Sequence, residues 1–527
     1  MIHELFDFIR NDSTPRAKID VFAGETAHVV PRSVYGNFLE QLGFAVYGGV
    51  WAQLLSNPVF EVQHNLKETD LAKLLRDGEL LTKMGVLGSI PPDAPDHWQP
   101  GVKATGFGIA ILDNELDKGI PLPWAAEQSG QGGVYRAAGR LGFGVRLHPN
   151  EGTATIRQGV FLPTHRVHAY EGAVWVRCEG KADDVQLSVG IRRRLNSAEE
   201  LVWVKLHGLT GEWLRIPFAF ELSESSVVDF EPVDFFVKAE GTADVLIDRV
   251  HLFPADHVDG FDPEVIDAAR KWSVPILRVP GGNFVSGYHW RHGVGDLSER
   301  PTRPNYAWGG LDYNEVGTDE LLRFCELIGA EPHFCVNMGT GTAEEAAAWV
   351  EYCNGSSDTP MGRLRAENGH PEPYGVTLWE VGNEIYGLWQ IGSCGSDENA
   401  RRYDLFSKAM KAVDPNISLL ATGNHFDFLE PALHLDYICA DQRWHQALVD
   451  RCGSELEMIA LHSLADHNRD MEDFTDEEVY SALMAQPLKW EREYIPDLLE
   501  QLNPQGGGKV TLAITEWGIL GDSAQRP

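Results

Sequence analysis

The chain has 527 residues, 43% of them hydrophobic and 10% aromatic, which suits two or three domains with sizeable cores rather than a disordered polymer. Acidic residues outnumber basic ones 78 to 44, and a formal charge of −34 works against nucleic acid or anionic membrane as a partner, since those surfaces are gripped through clustered Lys and Arg. The seven Cys have no paired short spacing for zinc or a disulfide framework and read as reduced thiols. Met1 to Lys18 has no apolar h-region and the chain has no run of about 18 apolar residues, so a cytoplasmic location is expected.

The pattern opens with two strand-like pieces, Ala17 to Phe22 and Ser33 to Leu39, the second running into Glu40. Leucines at helical spacing predict an amphipathic helix over Leu66 to Met84. Between about residues 98 and 254 the texture changes to short alternating runs parted by Gly, Asn, Asp and Pro, among them Ala173 to Val176, Asp184 to Ile191, Leu201 to His207, Leu214 to Phe220 and Asp244 to Phe253. Such a run of short strands predicts an all-β sandwich inserted into a larger α/β unit.

From Val258 the rhythm becomes strand, loop, helix, strand. Strands are expected at Pro275 to Val279, Glu331 to Val336, Thr377 to Val381, Ile417 to Ala421, Met458 to His462 and Val510 to Thr515, with helices such as Thr318 to Ile328 and Ala343 to Cys353 between several of them. Short buried strands alternating with helices predict a parallel sheet either covered on both faces or closed as a (β/α)₈ barrel, and with Ser33 to Leu39 the pattern supplies seven of the eight strands that a barrel needs. The division is then 1–60 for the first barrel strand, 61–257 for the connecting helix and the insert, and 258–527 for the rest of the barrel.

Six of the seven expected strands end in a polar cluster: Asn37 and Glu40; Arg278 with Gly281-Gly282-Asn283; Asn337; Asn383 and Glu384; His462; Glu516 with Trp517. One such end alone is as readily a helix cap or a satisfied core amide. Strand ends of a barrel converge on one bowl, however, so six together point to a site. Glycosidic hydrolysis needs one carboxyl to protonate the leaving oxygen and a second to attack the anomeric carbon or to activate water, which gives Glu384 as acid/base and Glu516 as nucleophile. A raised pKa is expected for Glu384 beside the Glu516 charge.

The runs Val34-Tyr35-Gly36-Asn37-Phe38-Leu39-Glu40, Leu277-Arg278-Val279-Pro280-Gly281-Gly282-Asn283-Phe284, Val336-Asn337-Met338-Gly339-Thr340-Gly341-Thr342, Gly382-Asn383-Glu384 and Thr515-Glu516-Trp517-Gly518 resemble the α-L-arabinofuranosidases of glycoside hydrolase family 51. The insert is similar to the carbohydrate-binding-module-like domain of one branch of that family. The resemblance covers about half the chain, residues 30–60 and 258–527, and implies a retaining double displacement that releases a terminal arabinofuranosyl group from an oligo- or polysaccharide. It also implies that Glu40, Arg278, Asn283, Asn337, Asn383, His462 and Trp517 surround the sugar. No metal or other cofactor is implied. Two departures stand out. Leu464 occupies a position where the family carries a Tyr facing the nucleophile, with His467 a candidate replacement, and the eighth strand and C-terminal sandwich of the family are not in the sequence, so the chain is expected to be truncated.

The residues themselves leave other readings open: a β-xylosidase or endo-glucanase on the same barrel, or a carbohydrate-binding protein with no activity. Whether copies of the chain assemble into a homo-oligomer is not fixed by the sequence.

Overall fold

The computed structural model describes residues 29–61, 120–121, 123–194, 199–228, 230–308, 310–424, 439, 443–466, 475–503 and 509–520. The strand expected at Ala17 to Phe22, the helix expected over Leu66 to Met84, and His467 lie outside them. The first described strand, β1 (Asn37–Phe38), is shorter than the alternation predicts, because Arg32–Tyr35 forms a 3-10 turn. Pro31 ahead of that turn has no N–H to give a strand, and the Gly36 N–H closes the turn on Ser33 O at 3.0 Å.

The insert follows. It contains β2 (Ala125–Ser129), β3 (Gly133–Ala138), β4 (Phe143–His148), β5 (Gly152–Phe161), β6 (Ala169–Glu179), β7 (Val185–Arg193), β8 (Glu200–Leu206), β9 (Leu214–Glu221), β10 (Pro232–Gly241) and β11 (Asp244–Pro254). They pair antiparallel into two five-stranded sheets, β2-β5-β10-β7-β8 and β3-β4-β11-β6-β9. Alternate residues point inward. Ile156, Val189 and Phe235 of one sheet and Val145, Val174 and Ile247 of the other are fully buried in one shared core, which makes the pair a sandwich.

The barrel resumes with α1 (Pro263–Trp272), started by Asp262, whose side chain accepts from the N–H groups of Glu264 and Val265, with Pro263 at the first helical position. Its strands are β12 (Ile276–Val279), β15 (Glu331–Val336), β16 (Leu378–Val381), β17 (Ser418–Thr422), β18 (Met458–Asp466) and β19 (Thr511–Leu520), with a small hairpin of β13 (Arg303–Pro304) and β14 (Leu311–Asp312) in the loop after β12. Between them lie α2 (Thr318–Ile328), α3 (Ala343–Asn354), α4 (Pro360–Glu367), α5 (Ser396–Val413), α6 (Trp444–Cys452), α7 (Asp476–Lys489) and α8 (Ile495–Leu502). The sheet is parallel and runs in chain order, β1-β12-β15-β16-β17-β18-β19, so helical crossovers wind it as a (β/α)₈ barrel does, with seven strands among the described residues. β18 and β19 outrun their expected ends because they continue to pair as far as Asp466 and Leu520, after a register shift between Leu461 and His462. Trp349, Trp379, Phe334 and Trp290 pack between sheet and helices, with ring centroids 4.7 Å apart for Phe334 and Trp349.

Sandwich and barrel are tied by buried polar contacts. Ser56 N donates to Gln158 Oε1 at 2.7 Å and Gln158 Nε2 donates back to Ser56 O at 2.8 Å, while Arg249 of β11 donates to Leu297 O and Arg300 O.

Candidate active site

Strand alternation decides what faces the barrel interior. Arg278 on β12, His333 and Cys335 on β15, Glu380 on β16 and His462 on β18 all point inward, and Arg278 is their hub at 2% exposure. Its guanidinium donates to both oxygens of Glu380, at 2.7 and 2.9 Å, to Asn383 Oδ1 at 2.7 Å and to Glu516 Oε1 at 2.7 Å. A planar fork is suited to this, since each N–H finds a separate acceptor. Burial alone would lift the Glu380 carboxyl, but the Arg278 guanidinium holds it below the ordinary carboxylate range. Burial also drives the His333 imidazole down to about 4, against the pull of Glu380, so it stays neutral.

Above this floor stand the two expected carboxyls. Glu384 follows β16 through Gly382, at φ +83°, where a Cβ would come within 2.9 Å of Met338, and Glu384 itself is held at φ +41°. A non-glycine residue in the left-handed region costs free energy, and here that geometry turns the carboxyl back over the sheet. It accepts from Trp389 Nε1 at 2.7 Å, Tyr386 OH at 3.2 Å and His462 Nδ1 at 2.9 Å. The same His462 nitrogen lies 3.6 Å from Glu516 Oε2. One oxygen of Glu384, one of Glu516 and the His462 nitrogen all fall within 4.8 Å of one another.

The expectation of a raised Glu384 pKa is overturned. Burial pushes in that direction, but the hydrogen bond and charge of His462, helped by Trp389 and Tyr386, bring the carboxyl below its ordinary value. His462 moves oppositely. Burial opposes its charge, yet Glu516 and Glu384 raise it above the usual imidazole range. Both shifts favour the proton on the imidazole over the Glu384 carboxyl.

Glu40, at the end of the β1 segment, faces the same bowl. Burial lifts its carboxyl to about 8, with Glu516 adding to the rise and the Phe284 N–H, 3.2 Å away, opposing it. Gly282, at φ +64°, makes room for it, because a Cβ there would sit 2.0 Å from Glu40 Oε2. Asn283 Oδ1 accepts from Asn383 Nδ2 at 3.4 Å, so both amides lie on the Arg278 side of the site.

Two expected sugar contacts are not brought in. Asn337 donates to Tyr288 O and Thr340 Oγ1 and accepts from the N–H groups of Gly339 and Thr340, which uses its whole amide to pin its own loop. Trp517 is 71% exposed, because neighbours on a strand point to opposite faces and Glu516 takes the inner one. The reading from sequence missed Glu380, His333, Trp389 and Tyr386. Glu380 carried a usable signal, an acidic residue inside a short apolar strand whose counterpart on an earlier strand is Arg278; Trp389 comes from a loop and carried none. In place of the expected Tyr, the groups facing Glu516 are Arg278 and His462.

Among the described residues, Glu384, His462 and Glu516 are also the one grouping dense enough to hold a metal ion. A metal there would have to compete with the Arg278 cation already on Glu516.

Residues 269–481 match the family model described as the alpha-L-arabinofuranosidase 1 domain. Over that stretch the barrel is similar to α-L-arabinofuranosidases. Alpha-L-arabinofuranosidase C of Emericella nidulans is 36% identical over 276 residues, which is 50% of this chain and 52% of that protein. The intracellular exo-alpha-(1->5)-L-arabinofuranosidase of Halalkalibacterium halodurans is 37% identical over 210 residues, 40% of each chain. The chain thus spans about half the length of the curated relatives it matches. Among solved structures, an arabinose-bound family 51 α-L-arabinofuranosidase superposes with a TM-score of 0.60 at 17% identity, covering 94% of this chain and 75% of that one, which shows a shared fold. Among the described residues no helix is long and apolar enough to cross a membrane.

Proposed function

We propose that the chain removes terminal non-reducing α-L-arabinofuranosyl groups from arabinose-containing oligo- or polysaccharides with retention of configuration, Glu516 acting as nucleophile and Glu384 as acid/base. One observation carries this reading, the approach of the two carboxyls to within 4.8 Å around His462. Carboxyls about 5–5.5 Å apart suit direct attack on the anomeric carbon, whereas about 6.5–9.5 Å leaves room for an intervening water. The names of the relatives support the choice of sugar, and that of the Halalkalibacterium protein supports an intracellular location.

In the first step a Glu516 oxygen forms a bond to C1 as the bond from C1 to the leaving oxygen breaks. Once Glu516 becomes an ester its charge is gone, and with it the strongest influence holding a proton on His462. That proton moves 2.9 Å to Glu384 and on to the departing oxygen. In the second step Glu384 takes a proton from water, the oxygen adds to C1, and the carboxylate of Glu516 is restored. Arg278 orients Glu516 throughout, and Asn383 and Glu40 face the furanose hydroxyls.

The test is arabinose release from nitrophenyl α-L-arabinofuranoside, with the first-formed anomer identified by NMR. Glu516→Gln is expected to lower kcat on the order of 10⁴-fold or more, and Glu384→Gln by roughly 10²–10⁴-fold. An inverted first product, or a Glu516→Gln variant as active as the parent, would sink the assignment; faster release from the nitrophenyl xyloside would move the substrate to xylose.

A further inference from the structure

A cavity of about 1040 Å³ lies between barrel and sandwich, at the upper end of the size range of ligand sites. It opens beside the candidate active site. Gln41, the neighbour of Glu40, lines it, as does Trp308, whose side chain lies close enough to the Glu40 carboxyl to act on it. Glu40 and Trp308 therefore form the partition between the bowl and the cavity.

The lining has the character of a sugar site. Phe44 and Trp308 come from barrel loops, and Phe161 and Phe230 from the sandwich. They are 78%, 38%, 64% and 90% exposed, an unusual concentration of apolar rings left facing solvent along one cleft. Such rings offer flat apolar faces for the C–H faces of sugars. The charged side chains in the wall are already paired. Arg166 bridges to Asp262 at 2.7 Å, and Glu315 accepts from His251 at 2.8 Å and from Trp51 Nε1 at 2.9 Å, so this wall calls for an uncharged ligand. Gln41, 6% exposed, contributes a polar side chain to the wall.

We propose that this cleft holds the neutral polysaccharide main chain from which the arabinofuranosyl group projects past Glu40 into the bowl, with the sandwich supplying one wall. The inference rests on the arabinofuranosidase reading for the identity of the projecting group. It makes the insert part of the substrate site and not a separate anchoring module.

Phe161→Ala in the full chain is the informative variant, because Phe161 is exposed and belongs to the sandwich, not to the barrel strands that carry the carboxyls. Relative to the parent, its kcat/KM is expected to fall about tenfold further on arabinofuranosylated oligosaccharides than on nitrophenyl arabinofuranoside, and Phe161→Tyr is expected to restore the ratio. Xylan-derived and arabinan-derived oligosaccharides, run in parallel, identify which main chain is held. Equal proportional losses on the large and small substrates would overturn the proposal. Should the parent cleave neither, the arabinofuranosidase reading fails, and the cleft is judged by calorimetry with a xylohexaose and an arabinohexaose: about tenfold weaker binding of one of them by Phe161→Ala upholds it, and unchanged or absent binding of both refutes it.

Discussion

Arg278 in the barrel and Arg146 in the sandwich each bridge two carboxylates, Glu380 and Glu516 in the first case and Glu179 and Asp244 in the second. Their settings differ. Arg278 is 2% exposed and its partners lie inside the barrel, whereas Arg146 is 35% exposed on the outer face of a sheet. Water screens the second cluster, so its contribution to stability is small. In the first, desolvation opposes every charge, and the cluster persists only because each charge is answered by several donors or acceptors. What the barrel gains is a fixed geometry, with Glu516, Asn383 and Glu380 set by one guanidinium. The core between the two sheets of the sandwich is apolar, and the Arg146 cluster lies outside it.

That contrast can be broken by experiment, and the largest effect is expected at the hub. Arg278→Met should destabilise the chain by about 3–5 kcal/mol, since it strands Glu380 without a counter-charge in the barrel interior. Denaturant titration measures it, and a loss below about 1 kcal/mol would mean that the interior is wetter than the geometry implies. An intermediate effect concerns pH. The folded-state pKa of Glu40 is raised from 4.5 to about 8, so the folded chain keeps a proton that the unfolded chain releases. Its contribution is fully present below pH 4.5 and lost as pH rises toward 8. Glu40→Gln, which cannot ionise, should flatten the decline of the melting temperature across that window; an unchanged slope would show that another group carries it. The smallest effect is expected in the sandwich, where Arg146→Met should cost less than about 1 kcal/mol, and less still in high salt. A cost equal to that of Arg278→Met would erase the distinction between the two regions.

Much of this architecture was legible before any coordinates. The sandwich could be read because its strands alternate cleanly, one face apolar, as Val174 and Val176 do against Trp175 and Arg177. The barrel strands could be read from short apolar runs ending in polar residues. β1 was misread because Ser33 to Leu39 has an alternating pattern, while Pro31 and Gly36 act on the backbone, which the pattern does not register. Trp517 was misplaced for a related reason: the sequence puts it beside Glu516, and adjacency on a strand means opposite faces.

The sequence by itself determined the fold class, the two carboxyls and most of the polar ring around them, because those depend on side-chain type and on periods of two and 3.6 residues, which are local properties. Tertiary structure alone decided which group the proton favours. Glu384 and His462 are 78 positions apart, and only the winding of the barrel sets the imidazole between two carboxyls, reversing the expected direction of the Glu384 shift. It alone also joined Glu40 to Trp308 and the sandwich to the mouth of the site, since a contact between distant segments is a matter of packing that no local pattern encodes.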